Sequence, residues 1–139
     1  MQPKLSVDAV QAFLKREFPQ VANDYVVESL GDLSAQIRMT PGDRHLRPGG
    51  TISGPTMFAL ADGAVYLCII AMVGPEALAV TTGANIDFMR KPEAGKDLIA
   101  DVTLLKLGRG LVVGDVLIRS EGVEKPVARA GLTYSRPRQ

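Results

Sequence analysis

Asp62 is the one carboxylate in a long apolar run. The run opens at Thr56 and continues through Ala64, Leu67, Cys68, Ile69, Ile70, Ala71, Met72 and Val73 to the helix-stop pair Gly74-Pro75. A helix that is apolar all round belongs in a core. An ionised Asp placed there costs several kcal/mol unless it is paired, hydrogen-bonded or protonated. A carboxylate kept in such a place is suited to work as a general base or a nucleophile. The structural alternative is a carboxylate that caps a neighbouring helix or pairs with an Arg. Immediately upstream, Arg47-Pro48-Gly49-Gly50-Thr51-Ile52-Ser53-Gly54-Pro55 forms a glycine-rich loop that leads into the helix. The candidate chemistry therefore sits on this loop and on Asp62.

Other chemistries find less material. A Ser-His-Asp triad would have to recruit His45, the only histidine, and no Gly-X-Ser-X-Gly elbow is present, so His45 reads as a loop residue. Ser53, just before the helix, reads as an N-cap, with a nucleophile as its sharper alternative. Cys68, the only cysteine, lies deep in the apolar run and reads as an inert core thiol. The glycine pair lacks a Walker motif, and no His/Cys cluster has metal-ligand spacing, so no metal or resident cofactor is expected.

The elements that must position these residues follow from periodicity. Val7, Val10, Phe13, Leu14 and Phe18 recur at helical spacing after Ser6, and Pro19 ends the segment, which predicts a short amphipathic helix packing as a lid. Tyr25–Leu30 and Leu33–Met39 flank Gly31-Asp32 and predict a β-hairpin. Thr40–Gly50 is the loop before the central helix. Four runs of strand character follow: Leu78–Met89, Asp97–Leu107, Leu111–Ser120 and Val127–Ser135. The turns Pro92-Glu93-Ala94-Gly95, Gly108-Arg109-Gly110 and Glu121–Pro126 are short enough to join antiparallel neighbours. Val112, Gly114, Val116 and Ile118 alternate with Val113, Asp115, Leu117 and Arg119, the period of a sheet with one dry face. The order predicts an α+β fold, an antiparallel sheet wrapped around one long helix, as a single domain over residues 1–139 with its N-terminal helix within residues 1–20.

Composition sets the class. With 46% hydrophobic and 22% charged residues and a formal net charge of +1, the chain is globular and carries no bulk basic charge for nucleic acid. One cysteine excludes an intrachain disulfide, and Met1–Leu14 lacks a secretory pattern, which predicts a cytoplasmic protein. The apolar stretch after Gly63 runs about eleven residues, short of the roughly 20 that a membrane span requires, so no span is expected.

Pro48-Gly49-Gly50-Thr51-Ile52-Ser53-Gly54-Pro55, then Leu60-Ala61-Asp62, then Asn85-Ile86-Asp87-Phe88-Met89-Arg90-Lys91-Pro92 resemble the hotdog-fold acyl-CoA thioesterases of the PaaI-like, phenylacetate-degradation branch. The likeness covers roughly residues 25–135, so residues 21–139 would form a hotdog core. In that branch the loop reads Gly-Thr-X-His-Gly-Gly, and the catalytic carboxylate follows nine positions after the histidine. Ser53 holds the histidine position here, and Asp62 lies nine later. Ser53 for His, Pro55 for the second glycine and Arg47 for a frequent Asn are the departures. The resemblance implies hydrolysis of a small or medium acyl-CoA, aromatic or aliphatic, with coenzyme A only as part of the substrate. Asp62 would be base or nucleophile, and the Gly54 N–H would donate to the oxyanion. Pro55 sits in the first turn, where its missing donor is tolerated.

Thioester hydrolysis needs a donor where negative charge develops on the carbonyl oxygen, and the positive end of a helix supplies one. Gly54 and Asp62 lie eight residues apart, about 12 Å along a helix, whereas both groups must come within ~3 Å of the reacting centre. One helix cannot do both. Two central helices antiparallel across a two-fold axis would bring Gly54 of one protomer to Asp62 of its partner, which predicts a homodimer with two equivalent sites and leaves a dimer of dimers open. Thr81, whose family counterpart is a Ser or Thr near the attacking water, would position that water or the carboxylate. Asn85 is read as sharing the strand face of Thr81. Arg90, Lys91, Lys106 and Arg109 are read as a cluster at strand ends and turns that would bind phosphates, with plain solvated charge as the alternative. Arg47 and Ser53 complete the substrate-binding set. A hotdog hydratase or dehydratase and a non-catalytic acyl-CoA binding protein are the competing readings.

Overall fold

A computed structural model describes residues 1–137 of the protein. In chain order it contains α1 (Val7–Glu17), β1 (Tyr25–Gly31), β2 (Ser34–Met39), a 3₁₀ turn (Asp43–His45), α2 (Gly54–Val73), β3 (Val80–Phe88), β4 (Leu98–Leu107), β5 (Leu111–Ser120) and β6 (Ala128–Ser135). The six strands form one antiparallel sheet in the order β1-β2-β4-β5-β6-β3, and α2 packs against it. This is the expected α+β hotdog architecture.

Local chemistry explains where α2 begins and ends. The Ser53 side chain accepts from the Thr56 N–H at 3.3 Å, a proline follows in the first turn, and Gly74 closes the helix at φ 97°, a left-handed value that favours glycine. Leu60, Leu67, Ile69, Ile70 and Met72 of α2 are fully buried against the sheet. Each such side chain contributes about 1.5–3 kcal/mol of burial. The strands answer with their alternate residues. Ala35, Ile37 and Met39 of β2, Val112, Val116 and Ile118 of β5, and Ala128, Ala130, Leu132 and Tyr134 of β6 face inward and are buried. Between them Gly114 lets the helix approach closely, since a Cβ there would lie 3.3 Å from Val65.

Three expectations need correction. The count of about eleven apolar residues after Gly63 understates the segment: α2 is one helix of 20 residues with a mean hydropathy of 2.0, long and apolar enough by composition to span a membrane. It is instead a core helix, because 67% of that segment is buried inside the protein. The first hairpin turns on Asp32-Leu33 rather than Gly31-Asp32, since Gly31 pairs with Ser34 and Leu33 takes the left-handed φ of 48°. The turn Pro92-Glu93-Ala94-Gly95 does not join neighbours: β3 pairs with β6 at one edge while β4 pairs with β2 and β5, so this connection crosses the sheet.

The two sheet edges are treated differently. α1, capped by Ser6, packs on β1, and its Gln11 mimics a neighbouring strand by donating Nε2–H to the Tyr25 carbonyl at 3.0 Å and accepting the Val27 N–H at 2.9 Å. Among the described residues the far edge, β3, has no such cover, and Val80 and Phe88 stand 56% and 51% exposed.

Two stability changes follow from these contacts. Gln11→Ala removes both edge bonds and should lower the unfolding free energy by about 1–3 kcal/mol, read as a lower urea midpoint at unchanged slope. Ser53→Ala removes the α2 cap and should cost about 0.5–2 kcal/mol in the same measurement.

Candidate active site

Asp62 sits near the middle of α2, half-buried, at the point where the helix passes β3 and β6. Its Oδ1 accepts from the Thr81 hydroxyl at 2.6 Å and from the Tyr134 hydroxyl at 2.7 Å, and the same Tyr134 hydroxyl lies 2.9 Å from the Asp62 main-chain carbonyl. Among the described residues no basic side chain forms an ion pair with Asp62, so neither helix capping nor an Arg partner accounts for it. Thr81 and Tyr134 are direct cross-strand partners, and therefore reach the carboxylate from one side. Arg136 fixes the end of this strand pair through a bidentate bond to Glu76 and a 2.8 Å bond to the Gly108 carbonyl.

A cavity of about 410 Å³ opens beside Asp62, with Phe18, Val21, Tyr25, Tyr66, Thr81 and Tyr134 among its walls. Leu14 of α1 contributes to the wall as well, beside Phe18 at the end of that helix. Phe18 meets Tyr66 edge-on at 5.5 Å. Gly63 admits the Tyr25 ring, because a Cβ there would lie 3.2 Å from Tyr25 Cε2. Burial pushes the Tyr25 and Tyr66 phenols up to about 12, with Asp24 and Asp62 adding to the effect on Tyr25, and burial raises Tyr134 as well. All three remain neutral donors through the physiological range. Burial likewise pushes the Cys68 thiol up to about 12, in keeping with an inert core thiol.

The loop before α2 is a small β-bridged turn. Leu46 pairs with Ile52, the Arg47 N–H donates to the Thr51 carbonyl at 2.8 Å, and Gly49 and Gly50 take φ values of 98° and 81° that side chains other than glycine rarely adopt. Arg47 itself is exposed. Ser53 Oγ lies 2.7 Å from Thr56 Oγ1, so its hydroxyl serves the cap. The His45 carbonyl accepts the Ser53 N–H at 2.9 Å, while its ring Nδ1 accepts from Gly42 N–H at 2.8 Å and makes no bond to Ser53. Gly54 occupies the first helical position, with the Phe88 ring packed where a Cβ would stand, 3.2 Å away.

Two groupings do not form. Asn85 does not share the face of Thr81. A β-bulge between Thr81 and Gly83 inserts Thr82, so Thr81 opposes the inward Tyr134 while Asn85 opposes Gly131 on the outer face and accepts its N–H at 3.0 Å. The basic residues do not cluster within one protomer either. Arg90 and Lys91 follow the Phe88 end of β3, where Arg90 donates to the Pro126 carbonyl, whereas Lys106 and Arg109 flank the β4–β5 turn at the Thr81 end. Among the described residues no three His, Cys, Asp or Glu side chains gather to hold a metal. Tyr134 is the site residue that the sequence reading missed. Its signal was present, because the β6 alternation puts a phenol on the dry face, where its hydroxyl must find a partner.

Comparison with known proteins identifies the family and the fold. Residues 49–127 match the model of the thioesterase superfamily, a stretch that holds most of the loop, the Asp62 helix and three of the six strands. A protein from Silicibacter sp., provisionally described as a thioesterase, is 52% identical, with 99% of this chain and 95% of that one covered at a TM-score of 0.92. A point mutant of the phenylacetic acid degradation protein PaaI from Thermus thermophilus is 29% identical over 86% of this chain and 99% of its own, with a TM-score of 0.73. A hypothetical thioesterase from Streptococcus pneumoniae, solved with coenzyme A, shares the fold at 21% identity and a TM-score of 0.78, with 94% of this chain and 98% of that one covered. No curated protein matches the sequence. The protein therefore belongs to the thioesterase superfamily and has its hotdog fold.

Proposed function

We propose that this protein hydrolyses the thioester of a small or medium acyl-CoA at a site composed from two protomers. The observation that carries the reading is a lone carboxylate, held by two hydroxyls in an apolar helix, facing a cavity lined largely by apolar and aromatic side chains. Asp62 acts as general base or nucleophile. In the first case it takes a proton from water as the water oxygen attacks the carbonyl carbon. The resulting oxyanion accepts from the Gly54 N–H of the other protomer, and its collapse expels the coenzyme A thiolate, which takes up the proton. In the second case Asp62 itself attacks the carbonyl carbon and expels the coenzyme A thiolate, and water then cleaves the mixed anhydride, which releases the acyl acid, restores the Asp62 carboxylate and leaves a proton for the thiolate.

The exposed edge of β3 supports the dimer. A nine-residue edge strand left uncovered, with Val80 and Phe88 exposed at its two ends, invites pairing, and the opposite edge of this sheet is already covered by Gln11. Two copies of Val80–Phe88 paired antiparallel about Ala84 would put the Thr81 end of one strand beside the Phe88 end of the other. Thr81 touches Asp62 and Phe88 packs on Gly54, so this pairing would carry the carboxylate of one protomer toward the helix N-terminus of its partner. It would also bring Arg90 and Lys91 of one protomer toward Lys106 and Arg109 of the other, giving a mixed basic rim for the phosphates of coenzyme A. Coenzyme A is bound by the S. pneumoniae protein of this fold. The acyl group would enter the cavity beside Asp62.

A panel of aromatic and aliphatic acyl-CoAs, followed by free-thiol release, tests the reading. Asp62→Asn keeps the shape of the side chain and should abolish release; wild-type-like turnover would remove Asp62 from the mechanism, and no release by the wild-type protein from any member would favour the acyl-CoA binding reading. The composite site makes a second prediction. Gly54→Pro removes the donor N–H at a position where proline suits the helix, with Phe88 shifting slightly. Mixed with Asp62→Asn and allowed to exchange, it should recover about a quarter of the wild-type rate, since half of the dimers would hold one intact site. Two inactive variants that stay inactive after verified exchange would exclude the trans arrangement.

A further inference from the structure

We propose that Tyr134 is a positioning residue that, together with Thr81, holds Oδ1 of Asp62 and leaves Oδ2 as the oxygen that acts on the thioester or its water. The proposal rests on the thioesterase reading above. Tyr134 is 3% exposed, and its hydroxyl lies within hydrogen-bond distance of both the carboxylate and the main-chain carbonyl of the same residue. A hydroxyl has a single proton to donate, and an ionised carboxylate is the stronger acceptor of the two. A contact that spans backbone and side chain of one residue fixes the side-chain torsions of Asp62. Thr81, at 2.6 Å from the same Oδ1, fixes the rotation of the carboxylate plane.

Oδ2 is treated differently. Among the described residues no protein group donates to it. No unpartnered side-chain oxygen or nitrogen among those residues is buried, so Oδ2 is open to solvent. Asp62 lines the cavity, and Thr81 and Tyr134 stand on the same wall. The burial of Tyr134 keeps its phenol protonated, hence a donor and never a competing base. One carboxylate oxygen is thereby committed to the scaffold and the other to the reaction. The outer-face residue Asn85 plays no part in this arrangement, because the bulge at Thr82 turns it away.

Tyr134→Phe removes the hydroxyl and keeps the ring. The expected result is a kcat reduced about 10- to 100-fold with KM within about threefold, the signature of a misplaced reacting group rather than a lost substrate contact. Thr81→Val should act in the same direction, and Thr81→Ser, which keeps the hydroxyl, should restore most of the rate. Crystal structures of wild type and Tyr134→Phe provide a readout independent of turnover: a single Asp62 rotamer in the wild type and a rotated or divided one in the variant. An active wild type whose Tyr134→Phe variant keeps kcat within twofold, or loses only KM, overturns the proposal, as does an unchanged Asp62 rotamer. A wild type without thiol release, whose variant still frees the carboxylate, would refute hydrolysis while leaving the positioning contact in place.

Discussion

A carboxylate halfway along an apolar helix is tolerable only if the surrounding sheet satisfies it, and here it does so with two neutral hydroxyls rather than a cation. The choice matters chemically. A guanidinium beside Asp62 would neutralise the charge and occupy both oxygens in a bidentate fork. Two hydroxyl donors on one oxygen offset part of the desolvation and leave the carboxylate its charge. The placement of that pair depends on the β3–β6 register, which sets Thr81 opposite Tyr134, and on the Arg136 contacts that tie β6 to the loop after α2 and to the β4–β5 turn. Gly63 and Gly114 matter for the same reason. One lets the Tyr25 ring lie on the helix beside Asp62, and the other lets the sheet approach Val65.

The unequal edges of the sheet belong to the same economy of polar groups. At β1 the free backbone groups are met by Gln11, a side chain that donates and accepts like a strand. At β3, among the described residues, they are left available along a strand of nine residues that carries exposed Val80 and Phe88 at its ends. In the proposed dimer it is this second edge that pairs, since an uncovered strand is a template for another. The length of α2 would give such pairing a chemical use in the proposed reaction, because it holds the helix N-terminus and the carboxylate too far apart to meet on one substrate.

Much of this was legible in the residue order, and what was not has a common cause. Ser53 and Gly74-Pro75 mark the ends of α2 because capping and stop signals are local, and Ala35, Ile37 and Met39 announce the inward face of β2 because alternation is local. Asp62 stood out because a single charge in an apolar run is costly wherever the run folds. The errors arose where long-range pairing decides. The crossing of Pro92–Gly95 follows from β3 choosing β6 over β4, and nothing within that turn encodes the choice. The orientation of Asn85 follows from one inserted residue, and Thr81-Thr82-Gly83 hints at it only through a glycine inside a strand. Tyr134 required the same register before it could be joined to Asp62.

The loop shows how a departure from a family pattern can be read physically. At the position where the branch carries a histidine, Ser53 spends its hydroxyl on Thr56 and on the first-turn N–H. Its main-chain N–H is tied to the His45 carbonyl, and Thr56 Oγ1 reaches toward that same carbonyl at 3.4 Å. Gly49 and Gly50 close the turn upstream in left-handed conformations, and Pro55 fixes φ just inside the helix. Rigidity of the helix start therefore comes from backbone geometry and a short cap rather than from an imidazole. A donor amide needs fixed direction more than it needs a neighbouring ring, since preorganisation is what makes such a dipole effective. The substitution thus alters the lining of the loop while leaving intact the two features on which the proposed chemistry rests, the Gly54 amide at the helix start and a carboxylate with one oxygen that no protein group among the described residues binds.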